Sequence, residues 1–218
     1  MRALIIVDAQ YDFFTVTKEE YEAMLGGALA VPFSLEIIPV INKLLPKFDI
    51  IIFTKDWHPK DMECFMTVNG KNIMEDFTTS NGVVDKAWPA HCVEDTRGAE
   101  IHDDIDFSLI KGDFYIFKKG LAKDTHPYSG FGAEGLADFL REKGVTETVV
   151  VGLATDWCAG DTALDSVKEG FKTTLIWDGC RGIAEDLTPT LNKLFDAGVI
   201  VTDYETFNQS ISKSKKVF

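Results

Sequence analysis

The chain has no long apolar run, no closely paired cysteines and a shortage of positive charge, and each shortage closes off a class of protein. Its apolar stretches fall short of the ~20 residues that a membrane-spanning helix requires. The opening apolar run, Ala3-Leu4-Ile5-Ile6-Val7, is also too brief for a signal peptide, so a cytoplasmic protein is expected. Four cysteines, Cys64, Cys92, Cys158 and Cys180, stand far apart with no C-x-x-C spacing. Neither a disulfide framework nor a zinc-thiolate site is indicated, and reduced thiols are expected. Lysine and arginine number 22 against 35 aspartates and glutamates, a formal net charge of −13. That balance repels phosphate backbones and anionic lipid, which excludes nucleic acid and membrane surfaces as partners and favours a small neutral or cationic ligand. Internal repeats and low-complexity tracts are absent as well.

What is present suits one well-buried domain over residues 1–218, since 218 residues with 45% hydrophobic content are ample for one core and short for two. Strand-like runs at 3–7, 50–54, 115–118, 148–152, 173–177 and 199–202 alternate with helix-like stretches at 35–45, 136–143, 158–169 and 187–197. Such alternation predicts an α/β fold with a mostly parallel sheet of about six strands and helices on both faces. Ser34 is a candidate cap for the first of these helices, and Pro39 falls early enough in it to be tolerated. Two connections, 15–33 and 59–87, are long for a compact domain, and either could roof a site. The closing stretch 211–218 reads as a short basic tail, solvated and mobile.

In sheets of this kind ligands sit beyond the carboxyl ends of the strands, so the polar residues there are the candidates. The run Val149-Val150-Val151-Gly152 leads through Thr155 and Asp156, either a good N-cap, to Cys158 in the first turn of a helix. The unpaired N–H groups and positive dipole end at that position favour a thiolate and an oxyanion site; the bland alternative is a small buried packing residue. Asp56 and His58, two apart on an extended strand end, project to the same side and could grip one cation, with His91 of Trp88-Pro89-Ala90-His91-Cys92 as a third ligand. A surface pair is the alternative for them. His102 and His126, in polar stretches, read as solvated. Asp8 closes the first strand as a turn cap or as a general base for the thiol. Lys118 or Lys119 could hold its charge. Gln10, Phe13 and Trp88 are core packing or pocket lining.

Several motifs recur together and in order: Ala3-Leu4-Ile5-Ile6-Val7-Asp8-Ala9-Gln10-Tyr11-Asp12-Phe13, Gly27-Ala28-Leu29-Ala30-Val31-Pro32, Thr54-Lys55-Asp56-Trp57-His58-Pro59, Trp88-Pro89-Ala90-His91-Cys92, Lys119-Gly120, Tyr128-Ser129-Gly130-Phe131 and Gly152-Leu153-Ala154-Thr155-Asp156-Trp157-Cys158. In these the chain resembles the nicotinamidase/pyrazinamidase family of the isochorismatase-like hydrolases, over nearly its whole length. The resemblance implies a catalytic triad of Asp8, Lys119 and Cys158, the lysine being the one directly before glycine. It also implies a divalent metal on Asp56, His58 and His91, zinc first, with iron or manganese as alternatives.

The resemblance further implies a cis Leu153–Ala154 peptide, which would aim the Ala154 and Cys158 amides at one oxyanion hole, and a pyridine ring flanked by Phe13 and Trp88. The implied reaction converts nicotinamide and water to nicotinate and ammonia through a thioester, a step of NAD salvage on a small-molecule substrate. Whether the chain forms a homo-oligomer is left open. One departure stands out: many relatives carry a further histidine where this chain has Met62. A thioether suits such a site poorly, and neighbouring Glu63 could contribute instead. Three alternatives remain: a related cysteine amidohydrolase acting on another small amide or an N-carbamoyl compound, which would need no metal; a vinyl ether hydrolase, which would lack the cysteine; and a non-catalytic binding protein of the same fold.

Overall fold

In a computed structural model, which describes the backbone of residues 1–214 and the side chains of residues 1–212, eight strands and seven α-helices follow one another along the chain. In order they are β1 (Arg2–Val7), α1 (Lys18–Glu22), α2 (Ile38–Leu44), β2 (Ile50–Asp56), α3 (Met66–Asn69), β3 (Asp76–Thr78), β4 (Val84–Lys86), β5 (Asp113–Lys119), α4 (Leu136–Glu142), β6 (Glu147–Leu153), α5 (Cys158–Lys168), β7 (Lys172–Arg181), α6 (Thr188–Asp196), β8 (Ile200–Thr202) and α7 (Tyr204–Ser214). Six strands form one sheet in the order β5-β2-β1-β6-β7-β8, parallel at every pairing. The remaining two, β3 and β4, make a small antiparallel hairpin within the long connection after β2.

The central strands are apolar on both faces because both faces are covered, as parallel sheets require. Leu4 and Ile6 of β1 pack with Ile38, Ile41 and Leu44 of α2 and with Tyr204 and Phe207 of α7. Ala3, Ile5 and Val7 face the other way, toward Leu136 and Leu140 of α4, Ala159 and Ala163 of α5 and Leu194 of α6. Strand order reverses between β1 and β6, and in open α/β sheets that switch opens a crevice at the carboxyl ends. There β1 leads into Asp8, β2 ends at Asp56, β5 at Lys119, and β6 feeds α5 with Cys158 as its first residue.

Several local expectations need correction. Ser34 does not cap α2: it opens a 3-10 turn, Ser34–Ile37, and its Oγ accepts from the Thr15 amide at 2.9 Å, tying down the 15–33 connection. Pro39 does sit in the first turn of α2. Neither Thr155 nor Asp156 caps α5, whose N-cap is Trp157 without a side-chain bond. Asp156 instead accepts from the Ile183 and Ala184 amides, both at 2.9 Å, and so fixes the loop after β7. Part of the expected tail is helix, since Ile211 and Ser212 lie in α7 and Ile211 packs against the core. Residues 215–218 lie outside the described residues. Among the described residues no helix is long and apolar enough to cross a membrane.

Gly152 sits where there is no room for a side chain between β6 and β1. Its φ is +122°, it pairs with Val7, and a Cβ there would lie 2.1 Å from the Val7 carbonyl oxygen. Gly170, after α5, also has positive φ (+89°) but faces open space. Gly170→Ala should therefore cost only the left-handed backbone term, about 1–2 kcal/mol, whereas Gly152→Ala should cost clearly more because backbone must move. Urea denaturation of the two variants checks this; equal losses would contradict it.

Candidate active site

Four strand ends bring one ammonium, two carboxylates and one thiol together. Lys119 Nζ lies 3.0 Å from Asp8 Oδ2 and 2.5 Å from Asp56 Oδ1, donates to the Pro127 carbonyl at 3.1 Å, and is 3.7 Å from Cys158 Sγ. Lys119 and both carboxylates are fully buried, and Cys158 nearly so. Asp8 reaches this point because its backbone takes φ +48°, turning the chain just past β1. Its Oδ1 accepts from Thr54 Oγ1 at 2.7 Å. Its Oδ2 pairs with Lys119 by distance without hydrogen-bond geometry, so that oxygen has no hydrogen-bond partner. Asp56 is clamped through its main chain by Gln10, whose side chain donates to the Asp56 carbonyl (2.6 Å) and accepts from the Asp56 amide (2.8 Å). Gln10 is thus a buried bracket for the site.

The charges differ by environment. Burial pushes the Asp8 carboxyl up to about 6; Lys119 pulls it down and Asp56 pushes it up again. Burial would raise Asp56 too, but there the Lys119 ammonium and then His58 outweigh it and hold the carboxyl well below the usual range. The Lys119 amine, which burial alone would lower, is held well above its ordinary value by Asp56 and Asp8. Burial drives the Cys158 thiol well up, only partly offset by Lys119. The helix terminus therefore does not hold a resting thiolate, contrary to the expectation from sequence, and the thiol needs a base at the moment of reaction. Oxygens of Asp8 and Asp56 and Cys158 Sγ all lie within 4.8 Å of one another.

A second cluster adjoins the first through Asp56. One ligating atom from each of Asp56, His58, His91 and His126 lies within 4.8 Å of the others. The Gly120 carbonyl accepts from His58 Nδ1 (3.0 Å) and the Pro89 carbonyl from His91 Nδ1 (2.8 Å), which leaves each Nε2 as a lone-pair donor. His58 Nε2 is 3.6 Å and His91 Nε2 4.0 Å from Asp56 Oδ2. His91 is neutral, as burial and then His58 push its pKa down to about 3. Asp56 Oδ2 and His58 Nε2 are buried with no hydrogen-bond partner. Orphaned lone pairs converging in this way fit a divalent cation of imidazole preference.

The histidines left in solvent by the sequence reading are not there. His126 joins this cluster, its side chain 3% exposed, and His102 is stacked on Tyr11 and packed against Phe14, with ring centroids 4.5 and 4.6 Å away. Their polar neighbours in sequence carried no sign of this burial. Glu63 makes no approach to the cluster, since its carboxylate accepts from the Ser80 amide and hydroxyl (2.7 and 2.6 Å). Met62 is buried in an apolar cluster with Cys64, Phe65 and Trp88.

Beside both clusters lies a tight cavity of about 20 Å³. Phe13, Val31, Trp88, Trp157 and Ile183 form apolar walls, and Asp56, His91, Ala154 and Cys158 border it. The Phe13 ring sits 5.5 Å from that of His91. The Leu153–Ala154 peptide is cis. Cys158 begins α5, and first-turn amides have no acceptor within their own helix.

A buried thiol, carboxylate and ammonium thus meet at the carboxyl edge of a parallel sheet, beside a histidine-rich cluster. The chain belongs to the isochorismatase domain family, which it matches over residues 2–206. Within that family it is similar to the nicotinamidase of Acinetobacter baylyi, 36% identical over 83% of this chain and 81% of that protein. A solved structure of a nicotinamidase/pyrazinamidase from Acinetobacter baumanii superposes with a TM-score of 0.83 at 33% identity, over 94% of this chain and 97% of that one. A pyrazinamidase of Pyrococcus horikoshii in complex with zinc gives 0.75 at 34% identity, over 93% and 98%.

Proposed function

We propose that this protein is a nicotinamidase, hydrolysing nicotinamide to nicotinate and ammonia with Cys158 as nucleophile. The observation that carries the reading is the meeting of Asp8, Lys119 and Cys158 beside a cavity that Cys158, Asp56 and His91 border, with His58 in the adjoining donor cluster. Similarity to nicotinamidases over most of the chain supports the substrate.

Asp8 Oδ2, free of hydrogen bonds, takes the thiol proton as Sγ attacks the carboxamide carbon. The Ala154 and Cys158 amides receive the developing oxyanion, a contribution typically worth about a hundredfold or more per donor. The proton on Asp8 passes to the nitrogen as ammonia leaves, giving a thioester on Cys158. A water that loses its proton to Asp8 then attacks the thioester, and nicotinate is released as the thiol is restored. Lys119 holds both carboxylates in place and keeps Asp8 ionised against the pull of burial. Phe13 and Trp88 face the pyridine ring and exclude water. Asp56, His58 and His91 would hold a divalent cation, which would supply Lewis-acid chemistry for binding the substrate. Zinc is the proposed metal, given the zinc complex of the P. horikoshii relative, and iron or manganese suit the same donors.

Ammonia release from nicotinamide by the purified protein is expected to fall on removal of divalent metal, to return on its restoration, and to vanish in Cys158→Ala. No release by the metal-replete wild type would sink the assignment. Because the base must be a carboxylate and Asp8 is raised to about 6, kcat/KM should be full above that value and fall as pH drops through it. A profile flat down to pH 4.5 would remove Asp8 from the role.

A further inference from the structure

The following rests on the reading that the histidine cluster holds a divalent cation. His126 lies in the connection from β5 to α4, where the main chain is pinned by the bond from Lys119 Nζ to the Pro127 carbonyl. Its ring centroid is 5.2 Å from that of His58 and 6.0 Å from that of His91. Its Nδ1 lies 3.3 Å from Asp85 Oδ2, which leaves Nε2 as the nitrogen available to the cluster. A buried imidazole held by a carboxylate through one nitrogen, with the other free for a ligating role, is the recurrent pattern of an oriented metal ligand.

We propose that His126 is a fourth protein ligand of the cation and that Asp85 is the positioning residue that orients it. Asp85 belongs to β4, half of the hairpin inside the long connection between β2 and β5. Its second oxygen accepts from the Tyr128 hydroxyl at 2.6 Å, and that hydroxyl accepts from Trp88 Nε1 at 3.0 Å. Tyr128 and Trp88 both line the cavity. One carboxylate therefore sets the metal ligand and the substrate wall together, and the hairpin has a purpose beyond covering the core. Three imidazoles with one carboxylate also select zinc, cobalt, iron or nickel over magnesium and calcium.

Metal-stripped wild type, His126→Asn, His126→Cys and Asp85→Asn are titrated with cobalt(II) and with zinc against a chromophoric chelator. Visible and near-ultraviolet spectra of the cobalt forms are recorded, and apo-form melting curves confirm that each variant folds. We expect Asp85→Asn to weaken binding ~10–100-fold, as outer-shell partners do, and His126→Asn to weaken it more and to change the cobalt visible bands. His126→Cys should add a thiolate-to-cobalt charge-transfer band absent from the wild type, a signature that a packing role for residue 126 would not produce. Wild-type affinity and an unchanged cobalt spectrum in His126→Asn, with no new band in His126→Cys, would overturn the proposal while leaving a three-ligand metal site standing. Failure of the wild type to bind one equivalent of cobalt or zinc would overturn the metal reading itself.

Discussion

The ammonium of Lys119, buried between Asp8 and Asp56, is the contact on which the site depends. Moving a charged group out of water costs several kcal/mol even after relaxation, and three such groups meet here within hydrogen-bonding distance. Remove the cation and two buried carboxylates face each other beside a thiol. With it in place, the Asp56 carboxyl is held well below its usual range and the Asp8 carboxyl is pulled down against the effect of burial. Lys119 is thus the joint between the Cys158 side of the site and the histidine cluster. The sheet register makes that joint possible, since Asp56 and Lys119 are direct partners across β2 and β5 and Asp8 follows the next strand over.

The scaffold serves this layer of strand ends. Parallel strands, with β1, β2 and β6 buried on both faces and the edge strand β5 paired along β2, fix these four strand ends relative to one another. β6, which feeds α5 and Cys158, packs at Gly152 directly against Val7 of β1, the residue before Asp8. The long connections complete the chamber: the one after β1 contributes Leu29 and Val31, and the one after β2 brings Trp88 into the cavity wall and Asp85 to His126 and Tyr128.

Much of this was legible in the sequence because it follows from local pattern. The six sheet strands and the major helices up to α6 stand where apolar alternation and turn residues placed them, to within a few residues. Asp8, the Asp56-x-His58 pair and Cys158 stand out because strand ends are where such sheets bind ligands, whereas the choice of Lys119 over Lys118 came only from the family resemblance. What was hidden depends on tertiary burial. His126 has polar neighbours in sequence, and nothing local says that the β5–α4 connection folds inward. Asp156 has the chemistry of a helix cap but is used by the loop after β7. The helix-terminus argument for a Cys158 thiolate was reversed by a burial that sequence does not reveal. In α7, Tyr204, Phe207 and Ile211 have helical spacing, but the following lysines and serines obscured it.

The most direct test of the central role of Lys119 is the pH dependence of Cys158 alkylation by iodoacetamide in the metal-free wild type and in Lys119→Met, followed by mass spectrometry of the labelled peptide. If the ammonium holds the site electrostatically, the variant, still folded by circular dichroism, should react at least ~10-fold more slowly at neutral pH, as loss of a neighbouring cation raises a thiol pKa. Its profile should also be displaced to higher pH. Superimposable profiles for the two proteins would contradict the account.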